Sequence, residues 1–151
     1  MEKEIKIKLF EACHKMVEQK MNTFQNALTE AQESANNETK SSAGDKHETG
    51  RAMAQLETEK LTAQLTEASK LLQVLNQIDI TIVNNAVRLG SLVTTNNGNF
   101  LIAVSLGKVT INNDDYFVIS SASPIGKLLI GLSINSEFTF NGRKYIIEEV
   151  V

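Results

Sequence analysis

From Phe10 onward the apolar residues recur at steps of three and four: Phe10, Cys13, Val17, Met21, Phe24, Leu28, Ala31 and Ala35. That spacing lines them up on one stripe of an α-helix. A second stripe follows, Leu61, Leu65, Ala68, Leu72 and Leu75, and no proline interrupts either one. Between the stripes, the stretch Asn36-Asn37-Glu38-Thr39-Lys40-Ser41-Ser42-Ala43-Gly44 is polar and ends in glycine, which predicts a helix-breaking connection. Two striped helices joined so briefly fold back as an antiparallel hairpin. The periodicity predicts helices of about 30 residues, roughly 45 Å at the rise of an α-helix. The stripe thins to alanine near the connection, so the far end of the hairpin must be polar on nearly all faces. Such a coiled-coil finger suits a tip that reaches into a narrow place.

Near residue 79 the sequence changes character. Before it the only glycines are Gly44 and Gly50; after it come six more, together with Pro124 and most of the aromatic residues. Leu92–Thr95 and Phe100–Val104 flank Asn96-Asn97-Gly98-Asn99, Asp115–Ile119 reads as a further strand, and Glu137–Phe140 and Arg143–Ile147 flank Asn141-Gly142. Asn-Gly supplies the positive φ that a tight hairpin needs. Ser123 to Gly131 reads as a short helix, with Ser123 as cap, Pro124 at the first position and Gly131 as terminator. The expected fold class is α+β, with an antiparallel two-helix coiled-coil finger over 1–78, its tip near 36–50, and a β-rich domain with one short helix over 79–151.

Composition excludes several function classes. The 151 residues carry 15 Lys+Arg against 18 Asp+Glu, and a net charge of −3 does not suit a generic nucleic-acid binder. The absence of Trp, with only two Tyr, argues against a base-stacking surface. A lone cysteine, Cys13, offers neither an internal disulfide nor a cysteine cluster for metal. No apolar run approaches the roughly 18 residues of a membrane span, and the start MEKEIKIKLF lacks the pattern of a secretory signal. The expectation is a cytoplasmic protein without a membrane partner or a small-molecule substrate.

The chemistry-bearing spacing lies at the predicted tip. Asp45 and Glu48 stand at i and i+3, on one side of the first turn of the second helix. Two carboxylates there could give oxygen ligands to Mg²⁺, which takes one or two protein carboxylates and fills its other positions with phosphate and water. The same Asp-x-x-Glu spacing is also a capping box, with Asp45 as N-cap, and the helix dipole favours acids at that end. Spacing leaves both readings open. His47, between the two acids, reads as a solvated side chain on a polar turn. Cys13 lies on the apolar stripe and reads as a buried structural thiol rather than a nucleophile. Cys13-His14 is no catalytic pair, because neighbours on a helix point in different directions. Gly107-Lys108 lacks a glycine at phosphate-loop spacing and reads as a turn.

Nearly the whole chain resembles the bacterial transcript cleavage factors of the Gre family. The resemblance rests on Leu89-Gly90-Ser91-Leu92-Val93, on Ile119-Ser120 with Ala122-Ser123-Pro124-Ile125-Gly126-Lys127-Leu128-Leu129-Ile130-Gly131, on the ending from Phe138 to Val150, and on Gly44-Asp45-x-x-Glu48. It implies an FKBP-like C-terminal domain and a finger that enters the secondary channel of RNA polymerase. There Asp45 and Glu48 would help hold the polymerase's second catalytic Mg²⁺, so that backtracked RNA is cut at the polymerase active site. The factor would have no active site and no intrinsic cofactor. Its partners would be bacterial RNA polymerase and the 3′ end of the nascent RNA. Lys40, Lys46 and Arg51 become candidate RNA contacts, since Lys and Arg are the usual phosphate partners. Ser123, Pro124 and Ile125 become candidate polymerase contacts.

After Glu48 this chain reads Thr49-Gly50-Arg51-Ala52 where the family usually has Asn-Ala-Glu-Tyr, and the family's Arg-Pro upstream of the loop is missing. These differences motivate a second reading, a regulator that occupies the channel without stimulating cleavage. A third, a peptidyl-prolyl isomerase or chaperone on the FKBP-like fold, is weakened by a Trp-free domain with few aromatics to form a proline pocket.

Overall fold

In a computed structural model the backbone is described for residues 2–41 and 45–151, and the side chains for 2–36 and 49–151. The fold is α+β: a long N-terminal helical hairpin region, then a six-stranded mixed sheet with one short helix. Helix α1 spans Glu2–Ser41 and α2 spans Asp45–Gln77. At 40 and 33 residues both exceed the expected length. The segment from Asn36, expected to break the helix, continues α1 to Ser41. Its asparagines and serines are weak helix formers but not breakers, and the chain there contains neither proline nor glycine before Gly44. Exposed threonines are accommodated by back-bonding: Thr29, Thr62 and Thr66 each donate to the carbonyl four residues earlier.

Two compact units divide the chain, Lys15–Leu72 in one and Met1–His14 with Gln73–Val151 in the other. Within the first, Val17, Leu28, Leu61 and Ala68 are buried. Among the described side chains between Leu28 and Leu61 none is buried, and Met53 and Leu56 are about two-thirds exposed (67% and 66%). The thinning of the stripe is therefore a property of the folded hairpin.

The second unit combines the starting segment of α1 and the end of α2 with the sheet. Its strands are β1 Leu92–Thr95, β2 Gly98–Ala103, β3 Gly107–Ile111, β4 Asp114–Ser120, β5 Glu137–Phe140 and β6 Arg143–Val150, in the order β3-β4-β2-β1-β6-β5. All neighbours are antiparallel except β2 and β4, which run parallel with Phe100 opposite Phe117. The β5–β6 turn holds Asn141 and Gly142 at φ 51 and 78, the conformation expected of Asn-Gly. In the β1–β2 turn the positive φ falls on Gly98, while Asn96 and Asn97 turn their side chains onto the carbonyl of Lys144 and the amide of Ile146.

Gly107-Lys108, expected as a turn, opens strand β3. The actual turn is Asn112-Asn113, both left-handed (φ 52 and 69), between β3 and β4. Asparagine tolerates that region because its short polar side chain hydrogen-bonds locally.

The alternation of β1 and β2 buries both faces of the sheet. One face carries Val93, Phe100, Ile102, Tyr145 and Ile147, packed with Val87 and with Leu129 from the short helix α3, Pro124–Leu129. The paired Phe138 and Tyr145 stack at 4.9 Å on adjacent strands. The other face carries Leu92, Leu101 and Val118, each at most 1% exposed. Leu92 and Val151 exchange two backbone hydrogen bonds of 2.9 Å, and Lys6 Nζ donates to the Val151 carbonyl at 3.0 Å. That bond ties the beginning of α1 to the chain segment paired with β1, and Leu9, Cys13 and Leu75 are buried in the same unit. His14 ties the two helices: its Nδ1 lies 3.1 Å from the Phe10 carbonyl and its Nε2 3.0 Å from Asn76 Oδ1.

Replacing Leu75 by Ala is expected to cost about 2–5 kcal/mol in urea unfolding, the range for a buried large-to-small change. The exposed Leu56→Ala is expected to stay within about 0.5 kcal/mol. Equal losses at the two positions would contradict a hairpin whose stability resides at its base.

Candidate functional site

Helix α2 begins at Asp45, so Asp45 and Glu48 both belong to its first turn. The side chains of Lys40, Asp45, Lys46, His47 and Glu48 lie outside the described residues, and so do any capping or metal contacts they make. What is described is the ground next to them. Arg51 is exposed and opens onto a shallow polar groove with Gln32, Asn36, Gln55 and Thr58. Among the described residues Arg51 makes no ion pair. Gly50 lies within α2, where a glycine costs about 1 kcal/mol relative to alanine. Among the described residues no three His, Cys, Asp or Glu side chains converge to hold a metal.

Of the candidate contacts at α3, Ser123 and Ile125 serve the fold. Ser123 is the N-cap: its Oγ accepts from the Gly126 amide at 3.1 Å and donates to the Ser120 carbonyl at 2.7 Å. A Cβ at Gly126 would collide with that same carbonyl, so only glycine fits. Ile125 packs against the core cluster. Pro124 is exposed at the first helical position. The helix ends with Ile130 donating to the Gly126 carbonyl, and Gly131 follows at φ 87.

Three other groups have defined environments. Burial pushes the Cys13 thiol up to about 11, so it is protonated at neutral pH and a poor nucleophile, as expected of a structural thiol. Tyr116 is also shifted upward, first by burial and then by the carboxylates of Asp114 and Glu2. Lys6 is a buried cation that the heptad reading passes over. Burial, and then the Arg88 guanidinium, lower its pKa, and Asp79 opposes the shift. The only sequence signal for it is position: Lys6 precedes Phe10 and Cys13 by four and seven residues, on the extended line of the apolar stripe.

Beside α3 lies a cleft whose lining includes Arg88, Leu89, Lys127 and Ile130, which the motifs do not single out. Lys127, Ile130 and Leu89 fall inside the segments that carry the resemblance, but nothing in their spacing marks a surface.

Comparison with protein-family models, with curated proteins and with solved structures gives no match to this chain. Among the described residues no helix is long and apolar enough to cross a membrane.

Because the Lys6 pKa is lowered in the folded state, the unfolded chain binds more protons between that value and 10.5. The burial penalty is therefore fully present below the lowered value and is relieved as pH rises from it towards 10.5. The Val151 carbonyl keeps its bond from Leu92 without Lys6. Lys6→Met is thus expected to be at least as stable as wild type in urea at pH 7, with the difference narrowing as pH rises towards 10. A loss above about 2 kcal/mol at pH 7, the scale of a severed charged hydrogen bond, would show that the ammonium–carbonyl contact outweighs the burial of charge.

Proposed function

We propose that this protein is a Gre-like transcription elongation factor. In this reading its helical hairpin enters the secondary channel of RNA polymerase, and its tip stimulates cleavage of backtracked RNA. The observation that carries the reading is the pairing of two features: a hairpin without a buried side chain among those described between Leu28 and Leu61, and an Asp-x-x-Glu pair in the first turn of α2. The rest of the support is the resemblance of the tip and of the Ser123–Gly131 segment. The sheet domain is then FKBP-like and stays outside the channel, and the setting is cytoplasmic.

The donor set suits a hard cation, since two carboxylates one turn apart offer oxygen ligands and leave positions for RNA phosphate and water. When bound, Mg²⁺ shared with the polymerase supplies the second metal of a two-metal site, activating water against the phosphodiester. Asp45 and Glu48 contribute negative charge that raises cation occupancy. Lys40, Lys46 and Arg51 hold the RNA backbone by charge. Ser123, Pro124 and Ile125 lie where the domain meets the polymerase, with exposed Pro124 the best placed to touch it.

The segment Thr49-Gly50-Arg51-Ala52 favours a second reading. It places a helix-weakening glycine and a cation beside Glu48, which suits a factor that occupies the channel without cutting. A backtracked elongation complex with Mg²⁺ separates the two. Wild type is expected to shorten the RNA, and Asp45→Asn/Glu48→Gln to bind polymerase equally but lose about 10²-fold or more in rate, the scale of removing charge stabilisation from a reacting centre. Binding by both with shortening by neither would favour the non-cleaving reading; absence of binding would overturn both.

A further inference from the structure

We propose that the free edge of strand β3 pairs with the same edge of a second copy of this chain, continuing the sheet across a two-fold axis. β3 stands at the end of the sheet, beside β4. The turn Asn112-Asn113 closes on the pair Ile111 and Asp114, and from there the ladder alternates. The amides of Ile111, Val109 and Gly107 therefore face β4, and those of Lys108 and Thr110 face outward. Among the described residues neither outward amide meets a backbone acceptor beyond the ladder. Such a row of open N–H and C=O groups is a template for another strand.

The side chains select which strand. Set antiparallel about Val109, two copies of β3 bring Lys108 opposite the partner's Thr110, and the outward amides reach the partner's outward carbonyls. Lys108, Thr110 and Asp115 share one face of the sheet. Thr110 Oγ1 donates to Asp115 Oδ1 at 2.7 Å, and Lys108 Nζ stands 4.0 Å from Asp115 Oδ2. The pairing puts each Lys108 in line with the partner's Thr110 and, just beyond it, the partner's Asp115, so opposite charges meet across the axis. A lysine on an edge strand ordinarily deters pairing; this register gives it an acid. Sliding the strands by two residues would set Lys108 against the partner's Lys108, which like charge disfavours. At the other edge of the sheet the matching pair, Lys144 with Glu137, is closed at 3.1 Å. Lys108, at the outer limit of an ion pair, is the cation with reach to spare. On the opposite face Val109 meets the partner's Val109. Ile111 comes against the partner's Gly107, where the ground is open: a Cβ at Gly107 would find no atom within 4 Å.

The interface is short and isologous, so association is weak and depends on concentration. The test is sedimentation equilibrium of the full chain over a concentration series at low salt, with amide hydrogen exchange followed at each concentration. A monomer–dimer equilibrium is expected, with the Lys108 and Thr110 amides gaining protection as dimer accumulates. Thr110→Pro removes an outward N–H and leaves the β3–β4 bonds in place; it should weaken dimerisation at least tenfold, a step of about 1.4 kcal/mol. Lys108→Glu should weaken it as well, and Lys108→Glu/Asp115→Lys, which restores opposite charges across the axis, should recover it. Lys108 and Asp115 are exposed, so the charge variants should keep the wild-type unfolding midpoint. A monomer at every concentration would overturn the proposal. So would a dimer whose Lys108 and Thr110 amides stay unprotected, a dimer indifferent to both single variants, or a charge exchange that fails to recover what Lys108→Glu loses. No polymerase enters the assay, so this inference and the proposed function stand or fall separately.

Discussion

The structure depends on one constraint, that β1 and β2 must bury both of their faces. Strand alternation sends Val93, Phe100 and Ile102 to one side and Leu92 and Leu101 to the other, and all five are buried. Short strands flanked by polar turns cannot cover two faces from within the sheet. α3 and the segment around Val87 close the first face. Near the second, the beginning of α1 is tied through Lys6 to the Val151 carbonyl, which is itself paired with Leu92 of β1. Beyond Leu28 the hairpin carries little apolar weight, and its surface is free to be polar.

Much of this was legible in the sequence, for identifiable reasons. The stripes gave the helices because spacing at three and four residues has few other uses in a proline-free segment. Asn141-Gly142 gave the last hairpin, and Ser123-Pro124 gave the start of α3, because each has a specific backbone consequence. β3 was missed because its turn uses Asn112-Asn113 rather than glycine, and because an edge strand with one buried residue, Val109, carries almost no period-2 signal. α1 runs beyond its expected end because Asn and Ser only weaken a helix, so a polar stretch without glycine or proline does not break it. Lys6 was passed over because a charge on an apolar line is read as surface until its partner carbonyl, 145 residues away, is known.

The candidate site was legible only in part. Asp45 and Glu48 were visible as a spacing, and the fold adds that they share the first turn of α2. The cleft at Arg88 and Lys127 was not visible, because its walls come from stretches some 40 positions apart that meet only through the Val87 ladder. Among the described side chains the hairpin between Leu28 and Leu61 has none buried, whereas the cleft beside α3 has aliphatic walls on a frame held by backbone bonds.

The central claim is that the tip carboxylates act by raising Mg²⁺ occupancy at the polymerase active site. The most direct measurement is the Mg²⁺ concentration for half-maximal RNA cleavage in a backtracked complex, with wild type and with Asp45→Asn/Glu48→Gln. The account predicts that wild type lowers this concentration and that the variant returns it to the value for polymerase alone. An identical Mg²⁺ dependence in all three would contradict it, even if wild type accelerated cleavage.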